Sequence, residues 1–154
     1  MNTRDIEFRI ERYKPGEIDP PAWQHYRLTV DAGMTVLDCL EVIRRDQDPT
    51  LMYRHSCHHS SCGTCGCVIN GNEGLACIRK VCDLNTAVVT LEPLRGFRRV
   101  GDLVVAFEDF YRDIAVHWSG LRFSEAGGET PANPEERQRL RFEDCIECGC
   151  CVSV

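Results

Sequence analysis

Four cysteines constrain this chain more than any other feature. Cys57, Cys62, Cys65 and Cys77 are spaced C-x4-C-x2-C-x11-C. A C-x4-C-x2-C run with a distant fourth cysteine is the spacing of a plant-type [2Fe–2S] site. Three sulfurs come from one loop, which must curl around the cluster. Gly63 and Gly66 lie inside that loop; they permit the curl and let backbone N–H groups approach the sulfides. The fourth thiolate is expected on the strand that follows Asn70-Gly71. A four-cysteine zinc site is the alternative, but structural zinc favours two C-x2-C pairs. Only Cys62–Cys65 is such a pair here. A Rieske centre needs two histidine ligands. His59 stands in a C-x-H, but no C-x2-H accompanies it. His55, His58 and His59 are therefore expected to be loop residues beside the cluster.

The chain has 11 cysteines in 154 residues, a density that in a short secreted protein would suggest a disulfide scaffold. The N-terminus is charged throughout and lacks the apolar stretch of a secretory signal. Closely spaced cysteines without an export signal fit metal or cluster binding better. An odd count also cannot pair completely within one chain. No apolar run approaches the ~20 residues of a membrane span. Acids exceed bases by 24 to 18, a net charge of −6, which argues against a nucleic-acid partner.

Hydrophobic periodicity predicts the elements around the loop. Ile6, Phe8 and Ile10 alternate with charged residues, the period-two pattern of a half-buried strand. Lys14 to Pro21 reads as a turn, and Tyr26, Leu28 and Val30 as the partner strand of a hairpin. Thr35 and Asp38 fit a capping box, and Val36, Leu37, Leu40 and Ile43 predict a helix over about 36–45. Residues 46–66 form a long polar loop, of the kind that is usually functional. Strands are predicted at Cys67–Asn70, Leu75–Cys77 and Ala87–Leu91, the first two joined at Asn70-Gly71. This order implies an α+β fold, a small mixed sheet packed on one helix. Cys39 and Cys67 are expected in its core; the role of Cys82 is open. From Val100 the period changes. Leu103, Val104, Phe107, Phe110, Tyr111, Ile114 and Trp118 predict one amphipathic helix, with Asp102 in its first turn. Ser124 to Pro134 reads as a linker, and Glu135 to Leu140 as a further helix. The basic group Arg95, Arg98 and Arg99 is either a solvated face or a docking patch.

Near the C-terminus, Cys145, Cys148 and Cys151 form C-x2-C-x2-C. A bacterial-type cubane run continues x3-C-P, and Val152, Ser153 and Val154 supply the x3. The fourth cysteine would come next, so the end resembles an interrupted protein. Cys150 adjoins Cys151, and adjacent side chains rarely reach two corners of one cluster. The tail beyond about Ser124 carries few large apolar residues, chiefly Leu140, Phe142 and Ile146. That is little area to offset roughly 1–2 kcal/mol of backbone entropy per ordered residue. It is expected to be mobile, without a stable [4Fe–4S], unless neighbours hold it.

Taken together, SCHHSSCGTCGCVINGNEGLAC, VGDLVVAFEDFYRDI and DCIECGCC resemble, in order and spacing, the iron–sulfur subunit of succinate dehydrogenase and fumarate reductase. The resemblance implies a β-grasp, plant-type ferredoxin-like domain over 1–99. A linking helix and the beginning of an α-helical ferredoxin domain would follow over 100–154. It implies that Cys57, Cys62, Cys65 and Cys77 hold a [2Fe–2S] cluster. Cys145, Cys148 and Cys151 would be a partial [4Fe–4S] ligand set. The remaining [4Fe–4S] ligand and all [3Fe–4S] ligands would lie beyond Val154. It further implies a FAD-containing flavoprotein partner and a quinone-linked membrane anchor, on the cytoplasmic face of the inner membrane, with no catalytic residue on this chain. Two alternatives differ in class. The small iron–sulfur subunit of a molybdenum hydroxylase shares the first motif but not the C-x2-C-x2-C. A non-enzymatic zinc module would be colourless where an iron–sulfur protein is brown.

Overall fold

The computed structural model describes residues 3–113 and 145–153. The chain divides into two compact units, one of residues 1–107 with 146–154, the other of Glu108–Cys145.

In the first unit five strands form one mixed sheet in the order β2-β1-β5-β3-β4. They are β1 (Thr3–Lys14), β2 (Ile18–Asp31), β3 (Gly66–Ile69), β4 (Asn72–Leu75) and β5 (Val88–Glu92). β1 and β2 are an antiparallel hairpin with Phe8 opposite Tyr26 and Ile6 opposite Leu28. β5 lies parallel to β1, Phe8 beside Val89 and Ile10 beside Leu91, and β3 pairs antiparallel to both β4 and β5. The single helix α1 (Val36–Asp46) buries Val36, Leu37, Cys39, Leu40 and Ile43. Thr35 and Asp38 close a reciprocal capping box at its N-terminus. Sheet and helix share one core, in which Phe8, Ile10, Ile43 and Val89 are fully buried. This is a β-grasp domain of the ferredoxin-like kind.

The predicted turn over Lys14–Pro21 is shorter than expected. β2 begins at Ile18, so Pro20 and Pro21 lie inside a strand. β2 is an outer strand of the sheet, and an outer strand tolerates residues that cannot donate to a ladder. The return strand β4 ends at Leu75, which leaves Cys77 in the turn beyond it. A 3₁₀ turn follows at Val81–Leu84.

The larger difference follows Val100. Residues 100–107 are not helical. They run across the first unit with Leu103, Val104, Val105 and Ala106 buried. Their backbone is tied by Leu103 N–H to Met52 O (3.1 Å) and Ala106 N–H to Arg98 O (2.9 Å). Asp102 is not a helix-capping residue but a buried acceptor. Its carboxylate takes the N–H groups of Tyr13 (2.8 Å) and Met52 (2.7 Å). The side chain of Arg12, almost fully buried, faces it. Arg12 Nε lies 3.0 Å from Asp102 Oδ1 in ion-pair contact, without hydrogen-bond alignment. The guanidinium also donates to Gln24 and Tyr26 (2.7 Å each), Thr50 (3.0 Å) and Asp48. Burial by itself raises the Asp48 pKa, but hydrogen bonds from Thr50, Tyr26 and Arg12 outweigh it and hold the carboxyl at about 2. A continuous apolar run fits a buried extended segment as well as a helix, and these polar anchors decide in favour of the segment.

In the second unit, α2 (Glu108–Asp113) is the described part of the predicted linking helix. Arg112 pairs with Asp109 at 2.7 Å along it. Ile114 and Trp118, the expected linker at 124–134 and the helix at 135–140 lie outside the described residues.

Candidate iron–sulfur centre

α1, β3 and β4 hold the ends of the cysteine loop. Ala76 N–H donates to Cys65 O (3.2 Å) and Leu37 N–H to Ala76 O (3.0 Å), which fixes the turn carrying Cys77 beside both the loop and the helix. Cys65 and Cys77 are buried, whereas Cys57 and Cys62 are partly exposed.

The curl expected of the loop is made by three left-handed residues: His58 and Ser60, both at φ 62°, and Gly63 at φ 68°. Histidine and serine bear some strain there. The result is a set of backbone donors aimed at sulfur. Ser61 N–H reaches Cys57 Sγ at 3.3 Å and His59 N–H reaches it at 3.5 Å, while Cys57 N–H reaches Cys62 Sγ at 3.5 Å. Thr64 Oγ1 is 3.2 Å from Cys62 Sγ. The His59 N–H, then Cys62 and Ser61, lower the Cys57 thiol to about 5. Burial pushes the Cys65 thiol up to about 11.

Cys57 and Cys62 are neighbours through the contact of Cys57 N–H with Cys62 Sγ, and Cys65 is held beside the turn that carries Cys77 by the Ala76 N–H to Cys65 O hydrogen bond. No three of these sulfurs lie within 4.8 Å of one another, since the one such group among the described residues is Glu41, His55 and His58. One tetrahedral zinc would draw all four thiolates to a single point, with Zn–S near 2.3 Å. A two-iron cluster instead takes two thiolates at each iron, and the four side chains fit that donor set.

Cys39 and Cys67 are core residues as expected. Burial raises Cys39 to about 12 and drives Cys67 higher still. Cys82 donates to Ala32 O at 3.1 Å. Arg99 turns inward to partners of its own chain, whereas Arg95 is exposed. Arg99 donates to Glu11 Oε2 and to Glu11 O, each at 2.8 Å. The Arg95 side chain lies 3.6 Å from Glu73.

Of the second motif, Cys145 belongs to the second unit and is exposed. Residues 146–153 pack on the first unit, contrary to the expectation of a loose tail. Their hold is polar and glycine-based rather than apolar. A Cβ on Gly63 would stand 2.7 Å from Ile146 O and 2.8 Å from Cys148 Cβ, and one on Gly66 would stand 3.1 Å from Cys148 O. Gly149, at φ 75°, lies against Phe97 and Phe107. Arg95 N–H donates to Ser153 Oγ at 2.7 Å, and that hydroxyl donates to Glu73 at 3.3 Å. A 3₁₀ turn at Cys150–Val152 follows. Within it the Cys150 thiol, raised to about 12 by burial and by Cys148, lies near Glu73 and Cys67, while Cys151 is exposed. The glycines were recognised in the sequence for their curl. Their second role, admitting another segment, has no local signal.

Comparison with known proteins agrees with this architecture. Residues 7–112 match the family described as 2Fe-2S iron-sulfur cluster binding domain. The chain is 30% identical over 158 residues to the fumarate reductase iron–sulfur subunit of Wolinella succinogenes, covering 98% of this chain and 66% of the relative. It is 38% identical to the succinate dehydrogenase iron–sulfur subunit of Coxiella burnetii, covering 96% and 64%. A mitochondrial succinate dehydrogenase iron–sulfur subunit of rice is 34% identical, covering 94% and 53%. A chain of the Mycobacterium smegmatis Sdh1 complex in the apo form superposes with a TM-score of 0.73 at 26% identity, covering 99% of this chain and 64% of that one. The chain thus spans about half to two thirds of the length of the relatives it matches. With its β-grasp sheet, its cysteine loop and these relatives, the chain belongs to the iron–sulfur subunit family of succinate dehydrogenase and fumarate reductase and carries that family's 2Fe-2S cluster binding domain.

Proposed function

We propose that this chain is an electron-transfer subunit, passing electrons between a FAD-containing subunit active on succinate or fumarate and a quinone-linked membrane anchor. Cys57, Cys62, Cys65 and Cys77 hold the [2Fe–2S] cluster. Cys145, Cys148 and Cys151 contribute three ligands to a [4Fe–4S] cluster, within a domain that begins near residue 100 and follows a cluster domain over 1–99. The complex sits at the cytoplasmic face of the inner membrane. Among the described residues no helix is long and apolar enough to cross a membrane.

The observation that supports this proposal is the four-cysteine loop, its backbone N–H groups directed at the sulfurs of Cys57 and Cys62, with the Cys148 segment seated on it. When bound, the clusters supply one-electron redox chemistry, and the protein positions and tunes them. The N–H groups of His59 and Ser61 stabilise negative charge at Cys57 Sγ, and burial of Cys65 and Cys77 keeps water from the inner side. Gly63 and Gly66, having no Cβ, bring the Cys148 backbone against the loop, which shortens the path between the two cysteine sites. No group on this chain needs to take a hydride or a substrate proton.

Anaerobic purification should give about two irons and two sulfides per chain from the first site, with a rhombic EPR signal on reduction. Cys62→Ser or Cys65→Ser should weaken or shift that signal, and Cys67→Ala should leave it in place. Stoichiometric zinc without iron would refute the cluster assignment. Succinate-dependent dye reduction by the flavin-free chain would refute the division of labour. In cells the chain should co-purify with a flavoprotein.

A further inference from the structure

A second set of metal-donor atoms lies beside the cysteine loop. Glu41 stands on α1, and His55 and His58 flank Cys57. The left-handed backbone of His58 accompanies a ring that meets the ring of His55 edge-on, with centroids 5.1 Å apart at 86°. Tyr53 packs against the other histidine at 5.4 Å. His55 Nδ1 and His58 Nε2 are 3.0 Å apart. Glu41 Oε1 lies 3.6 Å from the first and 3.5 Å from the second. A triangle with those edges has a point about 2.0 Å from every corner, which is the length of a zinc bond to imidazole nitrogen or carboxylate oxygen.

We propose that Glu41, His55 and His58 form a binding site for a borderline divalent cation of the Zn²⁺ class, separate from the cysteine ligands. Imidazole donors suit zinc, nickel and copper rather than magnesium or calcium. The three side chains are 35–43% exposed, so water can complete the coordination. His59 stays outside the site, since its Nδ1 is engaged 2.6 Å from Cys57 O. Without a metal, the 3.0 Å contact is a hydrogen bond from one ring to the other beside Glu41, and that is the competing arrangement.

The test uses the cluster-loaded chain under anaerobic conditions. Zn²⁺ is titrated calorimetrically, and iron content and circular dichroism are measured on every sample. One Zn²⁺ should bind to the wild type that is absent from His55→Ala and from His58→Ala and retained in His59→Ala. Ni²⁺ at the same site should speed the electron-spin relaxation of the reduced cluster, whereas Zn²⁺ should not. Uptake that is unchanged in both histidine variants would place the metal on thiols and overturn the proposal, as would no uptake at millimolar metal. Should a histidine variant lose the cluster, Glu41→Gln on the helix decides: lost or weakened uptake supports the site, and unchanged uptake overturns it.

Discussion

Gly63→Ala tests the seating of the C-terminal segment directly. Two costs follow from the substitution. The left-handed backbone at φ 68° costs an L-residue roughly 1–2 kcal/mol. The new methyl would also stand 2.7 Å from Ile146 O and 2.9 Å from Cys148 Cα, backbone atoms that no rotamer change can move. Overpacking of this kind typically costs about 1–3 kcal/mol. The second cost disappears if residues 146–153 lift away. Against that stand the Arg95–Ser153 and Ser153–Glu73 hydrogen bonds, each worth about 0.5–1.5 kcal/mol net, and the packing of Gly149. The two sides are of similar size, so the segment should be released in a substantial fraction of molecules while the sheet stays folded. Hydrogen exchange reads this at the Arg95 amide, which donates to Ser153, and alkylation reads it at the partly buried Cys150. Both should speed up in Gly63→Ala and less so in Gly66→Ala, where the nearest atom is 3.1 Å away. Neither should change in Gly74→Ala, whose nearest neighbour is 3.8 Å away. Unchanged exchange at Arg95 and unchanged labelling of Cys150 in Gly63→Ala, with the cluster retained, would refute the reasoning.

Other consequences are as direct. Arg12→Leu strands Asp48 and Asp102 without their buried cation and should destabilise the domain by about 3–5 kcal/mol in urea unfolding; a loss below about 1 kcal/mol would show that water replaces the guanidinium. Asp48 has a pKa of about 2 when folded, below the ordinary 3.8, so its stabilisation is complete above pH 4 and is lost as pH falls from there through 2. The stability gap between wild type and Asp48→Asn should therefore narrow over that window, and a constant gap would contradict the pKa assignment. Thr35→Ala removes the capping box of α1 and should cost about 1 kcal/mol of thermal or urea stability, with little effect on the EPR signal.

Local signals are legible in the sequence. Ile6, Phe8 and Ile10, with Tyr26, Leu28 and Val30, are buried as their alternation requires, and Thr35 with Asp38 closes the expected box. The loop end at Cys65 and the turn that carries Cys77 are held side by side by the Ala76 N–H to Cys65 O hydrogen bond. Signals that depend on distant chain were not legible. The run from Leu103 to Phe107 suits a helix or a buried strand equally, and its outcome rests on donors at Tyr13 and Met52, far away in sequence. The seating of residues 146–153 rests on the absence of two β-carbons, which no periodicity records. Arg12 continues the alternation of Ile6, Phe8 and Ile10, which puts a charge on the buried face of β1.

That buried guanidinium also bears on the order of assembly. Its partners come from β2, from the turn after α1 at Asp48 and Thr50, and from Asp102. The β1–β2 hairpin can form early from local pairing, but it then presents a cation that only chain 36 or more residues away can neutralise. Closing residues 100–107 over the sheet is therefore expected to be a late event, with full stability reached when all these segments have arrived. Kinetically, Arg12→Leu should quicken unfolding and leave the refolding rate nearly unchanged, the pattern of an interaction made after the rate-limiting barrier.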